Sequence, residues 1–161
     1  MVLEFKIVFK KNIEDSDRKI FADLLKKQNK VKGNLQTKAD RCKLICIVSK
    51  DKQPIAIGGI KPKTRTDFDL NKANLPEIGK EFDWELGYLY TESDYSGSGI
   101  AGFLVKTLIR EYGKENLMAS TETTQNPAMV RILEKNGFKQ YGKPWKSEIH
   151  ENYLGLFLKF E

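Results

Sequence analysis

The segment from Thr91 to Gly102, Thr-Glu-Ser-Asp-Tyr-Ser-Gly-Ser-Gly-Ile-Ala-Gly, constrains the fold more than any other part of the chain. An apolar, strand-like run at 84–91 precedes it, and a helix-like run at 100–112 follows it. Glycines at this junction allow a turn that exposes backbone N–H groups at the start of a helix. Because a helix N-terminus carries partial positive charge, the sequence predicts a site for an anionic group such as a pyrophosphate.

The periodicity of the whole chain predicts an α/β fold with a mixed sheet, in the order β-α-(α)-β-β-β-α-β-α-β-β. The predicted strands cover 2–10, 43–49, 54–60, 84–91, 116–122, 138–141 and 153–160, and the predicted helices cover 15–29, 100–112 and 126–136. Asp15 and Ser16 are expected to cap the first helix, and Asn126-Pro127 to open the last. The polar segment 61–82 is interpreted as a long connection, either functional or a disordered surface excursion.

At 161 residues the chain is expected to form one domain over 1–161. Its content of 40% hydrophobic and 31% charged residues is typical of a soluble globular protein. The N-terminus lacks the features of a signal peptide, and no apolar run reaches membrane-spanning length. Cys42 and Cys46 form neither a CxxC pair nor a disulfide framework, so the sequence predicts a protein of the reducing cytoplasm. Because no apolar run is long enough to span a membrane, a membrane partner is not expected.

Gly97, Gly99 and Gly102 also match the fingerprint of dinucleotide-binding folds, and Glu122 lies where a ribose-binding acid would follow. Two features argue against this interpretation. In a dinucleotide fold the glycines follow the strand directly, whereas residues 92–96 intervene here. That fold also needs further βαβ units after the acid, and only 39 residues follow Glu122.

A second motif favours another family. The stretch Tyr95-Ser-Gly-Ser-Gly-Ile-Ala101 resembles the acyl-CoA pyrophosphate loop of GNAT acetyltransferases, and Asn126-Pro-Ala-Met-Val-Arg-Ile-Leu-Glu-Lys-Asn-Gly-Phe138 resembles the helix that follows in that family. The two predicted strands in 43–60 resemble the family's hairpin, with glycine at 58 and 59. The resemblance covers nearly the whole chain in order and spacing. It implies a mixed, mostly antiparallel central sheet flanked by helices, and an N-acetyltransferase that uses acetyl-CoA as its cosubstrate.

The resemblance also implies which residues hold acetyl-CoA. The pantetheine arm would pair with the backbone of Leu89 to Thr91, and the pyrophosphate would meet the glycine turn. The implied contacts are therefore Leu89, Tyr90, Thr91, Ser96, Gly97, Ser98, Gly99, Ile100, Ala101, Gly102 and Asn126. Asn126 has a competing role as a helix cap. Arg131 and Lys135 are candidates for the ribose phosphate, and a solvated helix face explains both more simply.

Two departures from the family pattern bear on the chemistry. Ser96 occupies the position where the family carries arginine or glutamine, so pyrophosphate binding would depend on backbone N–H groups. Leu133 occupies the position of the tyrosine that many members use as general acid, so that role does not carry over. Loss of this acid is less damaging than loss of a base, because a thiol with a pKa of about 8.5 already gives a tolerable leaving group. Water, Tyr141 or Tyr153 are the candidates to replace it.

Glu85 is the predicted general base. A lysine-like amine, with a pKa of about 10.4, is mostly protonated at neutral pH and attacks only as the neutral form. In several relatives a glutamate four residues before the pantetheine-pairing position removes this proton, directly or through water, and Leu89 would be that position here. Glu81 and Asp83 are the nearest alternatives, and a solvated carboxylate at the strand edge is the structural alternative.

The acceptor is not encoded in these motifs. Residues 66–96 contain 8 acidic and 2 basic residues, and a negative rim would favour a cationic amine such as a polyamine, an aminoglycoside or a peptide amine. Residues 1–65 contain 17 basic and 7 acidic residues, which leaves an RNA-linked amine such as a charged tRNA as an alternative. Other nucleic-acid binding is not expected, because aromatic residues do not interleave with the basic ones.

A non-catalytic acyl-CoA-binding regulatory module is the alternative function, since the tyrosine acid and the long side chain at Ser96 are both missing. His150, the single histidine, has no apparent catalytic partner and is expected to be structural or exposed. No Cys/His cluster suggests a metal, and a homodimer is left open.

Overall fold

The structure is a computed structural model that describes residues 2–161. The strands are β1 (Leu3–Phe9), β2 (Leu44–Lys50), β3 (Gln53–Pro62), β4 (Trp84–Thr91), β5 (Leu117–Glu122), β6 (Lys139–Lys146) and β7 (Tyr153–Lys159). The α-helices are α1 (Asp15–Gln28), α2 (Lys38–Arg41), α3 (Ile100–Tyr112) and α4 (Pro127–Lys135). The fold is α/β, with a mixed and mostly antiparallel seven-stranded sheet in the order β1-β2-β3-β4-β5-β7-β6, which confirms the predicted class.

The chain divides into two compact units, and β4 contributes to both. The first unit runs to Pro62 and resumes at Leu86–Gly113. Its antiparallel strands β1, β2 and β3 bury the apolar face of α1, with Phe21 and Leu25 packed against Ile45 and Ile57. Because side chains alternate along a strand, Gly58 faces the other side, where it lies against leucines of β4 and α3. Each face of this part of the sheet is therefore covered by one long helix.

Gly58 explains how closely α3 and β4 approach β3. A Cβ at this position would lie 2.6 Å from Leu89 Cδ2 and 2.9 Å from Leu108 Cδ1. Real side chains do not make such short contacts, so the position accepts only glycine without movement of its neighbours. Of the two glycines seen in the sequence, Gly58 is therefore required by packing.

The second unit comprises Lys63–Glu85 and Lys114–Glu161. Glu85 pairs with Met118 in parallel, and β7 lies antiparallel between β5 and β6. The connection between β3 and β4 is ordered by 3₁₀ turns at Arg65–Phe68 and Gly79–Glu81. It places Phe68 and Phe82, each no more than 2% exposed, in the core of this unit. The interpretation of 61–82 as a disordered excursion is therefore wrong.

Two other local predictions need correction. Helix α1 starts from Glu14, whose N–H donates to Asp17 Oδ2 at 3.1 Å, so the expected caps Asp15 and Ser16 are not used. Strand β6 extends to Lys146, five residues beyond the predicted end at 141. Its irregular pairing with β7 between Tyr141 and Trp145 hides the alternation that would identify it from sequence.

Candidate functional site

Strand β4 contains a backbone irregularity at Tyr88, whose φ of +56° lies in the left-handed region. The hydrogen bonds at the two ends of β3 and β4 show one extra residue in β4. Lys63 N donates to Asp83 O and Glu92 N donates to Ile55 O. Between these two bonds the chain of β3 advances by eight residues, from 55 to 63, whereas the chain of β4 advances by nine, from 83 to 92. This is the signature of a β-bulge. The residue with the left-handed φ is Tyr88, which directly follows Gly87.

The glycine turn after β4 has the geometry of an anion site. A 3₁₀ turn at Ser93–Tyr95 leads into Gly97 and Gly99, with φ of +76° and +86°, and α3 begins without a side-chain cap. The hydroxyls of Ser96 and Ser98 donate back to the carbonyl oxygens of Ser93 and Tyr95. A Cβ added at Gly97, Gly99 or Gly102 would meet nothing within 4 Å. The space beside these glycines is therefore open and no side chain caps the start of α3, an arrangement that suits a phosphate at a helix N-terminus.

The C-terminal end of α1 contacts β4 and the residue just after that strand, all within the first unit. Lys27 Nζ lies 3.0 Å from Glu92 Oε2, and Tyr90 Oη donates to Glu92 Oε1 at 2.9 Å. The hydrogen bond from Lys27 lowers the pKa of Glu92, whereas burial and the bond to Glu92 raise the pKa of Tyr90. Tyr90 thus retains its proton and uses it in a structural bond. The predicted contact of Tyr90 with the cofactor stays a prediction.

Gln28, the last residue of α1, contacts the predicted pantetheine-pairing strand directly. Its Nε2 donates to the carbonyl oxygen of Leu89 at 2.7 Å. Its Oε1 is buried and accepts no hydrogen bond from residues 2–161. Sequence analysis missed this residue, and no local signal could have found it, because Gln28 and Leu89 are 61 positions apart.

Glu85 belongs to the second unit and is 7% exposed. Its Oε1 accepts the backbone N–H of Thr64 at 2.8 Å. The structural alternative of a solvated carboxylate at the strand edge is therefore wrong. The competing acids Glu81 and Asp83 are both exposed. Glu85 is thus the buried member of the three candidate bases.

Helix α4, also in the second unit, accounts for several other predictions. Asn126 Oδ1 accepts the N–H of Met129 at 3.3 Å, so this side chain caps the helix. Leu133, at the position of the family tyrosine, is 1% exposed and belongs to the core. Arg131 and Lys135 are exposed, which agrees with a solvated helix face.

Tyr141 and Tyr153, the two candidate substitute acids, differ in their surroundings. Tyr141 packs its ring against Phe160, with centroids 5.6 Å apart, and Tyr153 is 52% exposed at the start of β7.

His150 Nε2 lies 3.0 Å from Glu122 Oε1, and its Nδ1 accepts the N–H of Asn152. Both ring nitrogens are engaged, which agrees with a structural histidine.

Within residues 2–161 no group of three or more His, Cys, Asp or Glu side chains is arranged to hold a metal ion. No helix in the same part of the chain is both long and apolar enough to cross a membrane. Cys42 and Cys46 are free and buried, and burial raises the pKa of both thiols to about 12.

The model of the acetyltransferase (GNAT) family matches residues 10–138, which include the bulged strand, the glycine turn and α4. The chain belongs to the acetyltransferase (GNAT) family. The GNAT resemblance drawn from the two sequence motifs is thereby confirmed. No curated protein sequence matches the chain significantly.

Solved GNAT structures share the fold over almost the whole chain. The Escherichia coli ribosomal-protein-S18-alanine N-acetyltransferase is 14% identical, with a TM-score of 0.65 over 97% of this chain and 93% of that one. The NatC complex bound to Gag peptide and CoA is 19% identical, with a TM-score of 0.70 over 100% and 99%. An acyl-CoA N-acyltransferase from Pseudomonas aeruginosa is 10% identical, with a TM-score of 0.66 over 98% and 99%. At these identities the likeness establishes the fold.

Proposed function

We propose that this GNAT protein is an N-acetyltransferase that transfers the acetyl group of acetyl-CoA directly to a primary amine in a ternary complex. The observation that carries the proposal is the junction of β4 with α3. It combines a bulged strand at Tyr88, a turn with Gly97 and Gly99 in left-handed conformations, and an uncapped helix start. This arrangement fits a cosubstrate with a pantetheine arm and a pyrophosphate, and family membership supports the same assignment.

The residues proposed to hold acetyl-CoA act mainly through their backbones. The N–H groups around Gly97–Gly102 would bind the pyrophosphate oxygens, helped by the positive end of α3. Ser96 and Ser98 use their hydroxyls inside the turn, so their contribution there would be their amides. Backbone groups of Leu89 and Thr91 would pair with the pantetheine arm as an added strand does. Bound acetyl-CoA supplies the thioester that the amine attacks.

Glu85 is proposed as the base that takes the proton from the incoming ammonium, directly or through a water molecule. It is buried, it is held by the Thr64 N–H, and it stands four residues before Leu89 in β4. A general base at such a position contributes typically 10²- to 10⁴-fold to the rate. The amine nitrogen then bonds to the thioester carbon, the carbon–sulfur bond breaks, and the sulfur leaves as a thiolate. The nitrogen loses its second proton to solvent, and the thiolate takes up a proton from solvent.

The acceptor is proposed to be a cationic amine, with peptide amines prominent. Asp69, Glu81, Asp83 and Asp94 are exposed acids of the stretch 66–96, whereas Glu92 is paired with Lys27 and Glu85 is buried. Part of the acidic excess therefore remains available for a positive acceptor. Two of the solved neighbours are named for, or bound to, peptide or protein substrates, which supports placing N-terminal peptide amines in the panel.

The test is release of free thiol from acetyl-CoA over a panel of polyamines, aminoglycosides, peptides and neutral amines, at two salt concentrations. Glu85→Gln is compared with wild type across pH, and Glu81→Gln serves as the exposed control. We expect release with one class of cationic amine, falling at high salt. In Glu85→Gln we expect a loss of roughly 10²-fold or more at neutral pH, with partial recovery at alkaline pH where the amine is already neutral.

The outcomes separate the alternatives. Equal rates in Glu85→Gln and wild type would remove Glu85 as the base without removing the enzyme. Acetyl-CoA binding without turnover on any small amine or peptide would favour the regulatory binding module, and a charged tRNA would then be the remaining acceptor to assay. Failure to bind acetyl-CoA would overturn the proposal as a whole.

A further inference from the structure

The contact between Gln28 and Leu89 lies on the backbone edge that the pantetheine arm is proposed to use. Glu92 N donates to Ile55 O, so the backbone groups of residue 92 face β3. Because backbone groups alternate between the two edges of a strand, those of Leu89 and Thr91 face the edge away from β3. The carbonyl that Gln28 Nε2 occupies at 2.7 Å is therefore one of the two proposed pairing groups.

The side-chain amide of Gln28 is only partly satisfied, although its bond to Leu89 is short. Its amide can donate two hydrogen bonds and accept two, yet its buried Oε1 receives none from residues 2–161. A buried acceptor without a partner costs free energy, which offsets part of what the bond to Leu89 contributes. The remainder is small enough for a competing donor to overcome, and large enough to weaken the binding of that donor.

The pantetheine arm carries amide N–H groups, which are the same kind of donor as the side-chain amide of glutamine. We propose that Gln28 is an autoinhibitory stand-in for the pantetheine arm: it occupies the Leu89 carbonyl in the free protein, and acetyl-CoA must displace it to bind. This inference rests on the proposed function. Displacement frees the amide of Gln28 and releases the end of α1 from Leu89.

The neighbouring contacts allow Gln28 to move without unfolding α1. Lys27 remains tied to Glu92 at 3.0 Å, and Phe21 packs its ring edge against Tyr88, with centroids 5.9 Å apart. Asn29, the next residue, already has a left-handed φ of +58° that ends the helix. The side chain of Gln28 can therefore rotate away while the preceding turns of α1 stay in place.

The experiment compares the affinity of acetyl-CoA for wild type, Gln28→Leu and Gln28→Met, measured by calorimetry. Both substitutions keep helix propensity and volume but remove the competing donor and the unpaired oxygen. We expect both variants to bind acetyl-CoA roughly three- to tenfold more tightly than wild type, the effect of deleting one competing hydrogen bond. Gln36→Leu, an exposed glutamine of the same unit, is the matched control and should leave the affinity unchanged.

A second ligand distinguishes displacement from a general structural effect. Adenosine 3′,5′-bisphosphate lacks the pantetheine arm, so its affinity should be equal in wild type and both Gln28 variants. In spectra of the ¹⁵N-labelled protein, the side-chain amide pair that is missing in Gln28→Leu should shift when wild type is saturated with acetyl-CoA, and should not shift with the bisphosphate.

Unchanged or weaker binding of acetyl-CoA by both variants would overturn the inference while leaving the proposed function intact. Equal tightening for the bisphosphate would overturn it too, since the effect would then not involve the pantetheine arm. If neither wild type nor the variants bind acetyl-CoA, the proposed function fails and the inference fails with it. Thermal melting of each variant confirms that the proteins compared are folded.

Discussion

The backbone N–H of Thr64 donates to Glu85 Oε1 at 2.8 Å, which ties the start of the β3–β4 connection to the buried carboxylate of β4. Glu85 is therefore part of the fold as well as the proposed base. A loss of activity in a Glu85 variant has meaning only if this bond survives the substitution.

The first prediction separates these two roles. Glu85→Gln retains an oxygen for the Thr64 N–H, so we expect a small change in the free energy of unfolding. Glu85→Ala removes that acceptor and should destabilise the protein by about 1–3 kcal/mol. Urea denaturation monitored by circular dichroism measures both. Equal losses in the two variants would show that the bond to Thr64 contributes nothing.

A second prediction concerns Gly58, where an added Cβ would lie 2.6 Å from Leu89 Cδ2. Gly58→Ala should destabilise the fold by about 1–2 kcal/mol and weaken acetyl-CoA binding, because the displaced side chain belongs to the pairing strand. Gly102→Ala is the matched control for stability, since its Cβ would meet nothing within 4 Å and alanine favours a helix. A Gly58→Ala protein as stable as wild type would contradict the packing described for α3.

The ion pair of Lys27 with Glu92 predicts a pH dependence. The partner lowers the pKa of Glu92 in the folded state, so the pair stabilises the fold above the ordinary pKa of 4.5, and this contribution is lost as the pH falls through the lowered value. Lys27→Met should cost about 0.5 kcal/mol at pH 7 and nothing once Glu92 is protonated. Denaturation from pH 7 to pH 2 tests this, with the exposed neighbour Lys26→Met as the control. A cost that stays constant with pH would assign the effect to packing.

The buried cysteines predict a slow thiol reaction. Burial raises the pKa of Cys42 and Cys46 to about 12, so at pH 8 only roughly one thiol in ten thousand is ionised, and both are shielded from reagents. A disulfide reagent should detect almost no thiol in the native protein and both in denaturant. The native protein then adds no background to the acetyl-CoA assay. Rapid labelling of either cysteine in the native state would contradict the burial described.

The parts of the structure that short patterns encode were predicted well. Six of the strands, the start of β6, α3 and the cap of α4 at Asn126 follow from alternation, helical spacing and capping chemistry, all of which act within a few residues. The family assignment rested on the same local motifs. The cap of α1 was predicted one or two residues too late. The helix starts with a capping box between Glu14 and Asp17, whereas Asp15 and Ser16 are also residue types that commonly cap helices.

The parts that depend on distant contacts were not predictable. The polar 61–82 segment contributes Phe68 and Phe82 to a core whose other members lie later in the chain. Gln28 meets Leu89 across 61 positions, and Thr64 meets Glu85 across 21. Tyr88 has a left-handed φ although it is not a glycine, so its residue type does not signal this conformation.

The extra residue at the β4 bulge interrupts the regular pairing of β3 and β4 between Glu85 and Leu89. Deleting one residue at 87–88 would let β3 and β4 form an uninterrupted ladder and would remove the strained Tyr88. A one-residue slip also exchanges the edges and faces of the strand residues before the bulge relative to those after it. With Glu85 as the proposed base and Leu89 as the proposed pairing residue, a regular β4 would change the register between them, and the bulge is then the feature that selection for the proposed activity would preserve.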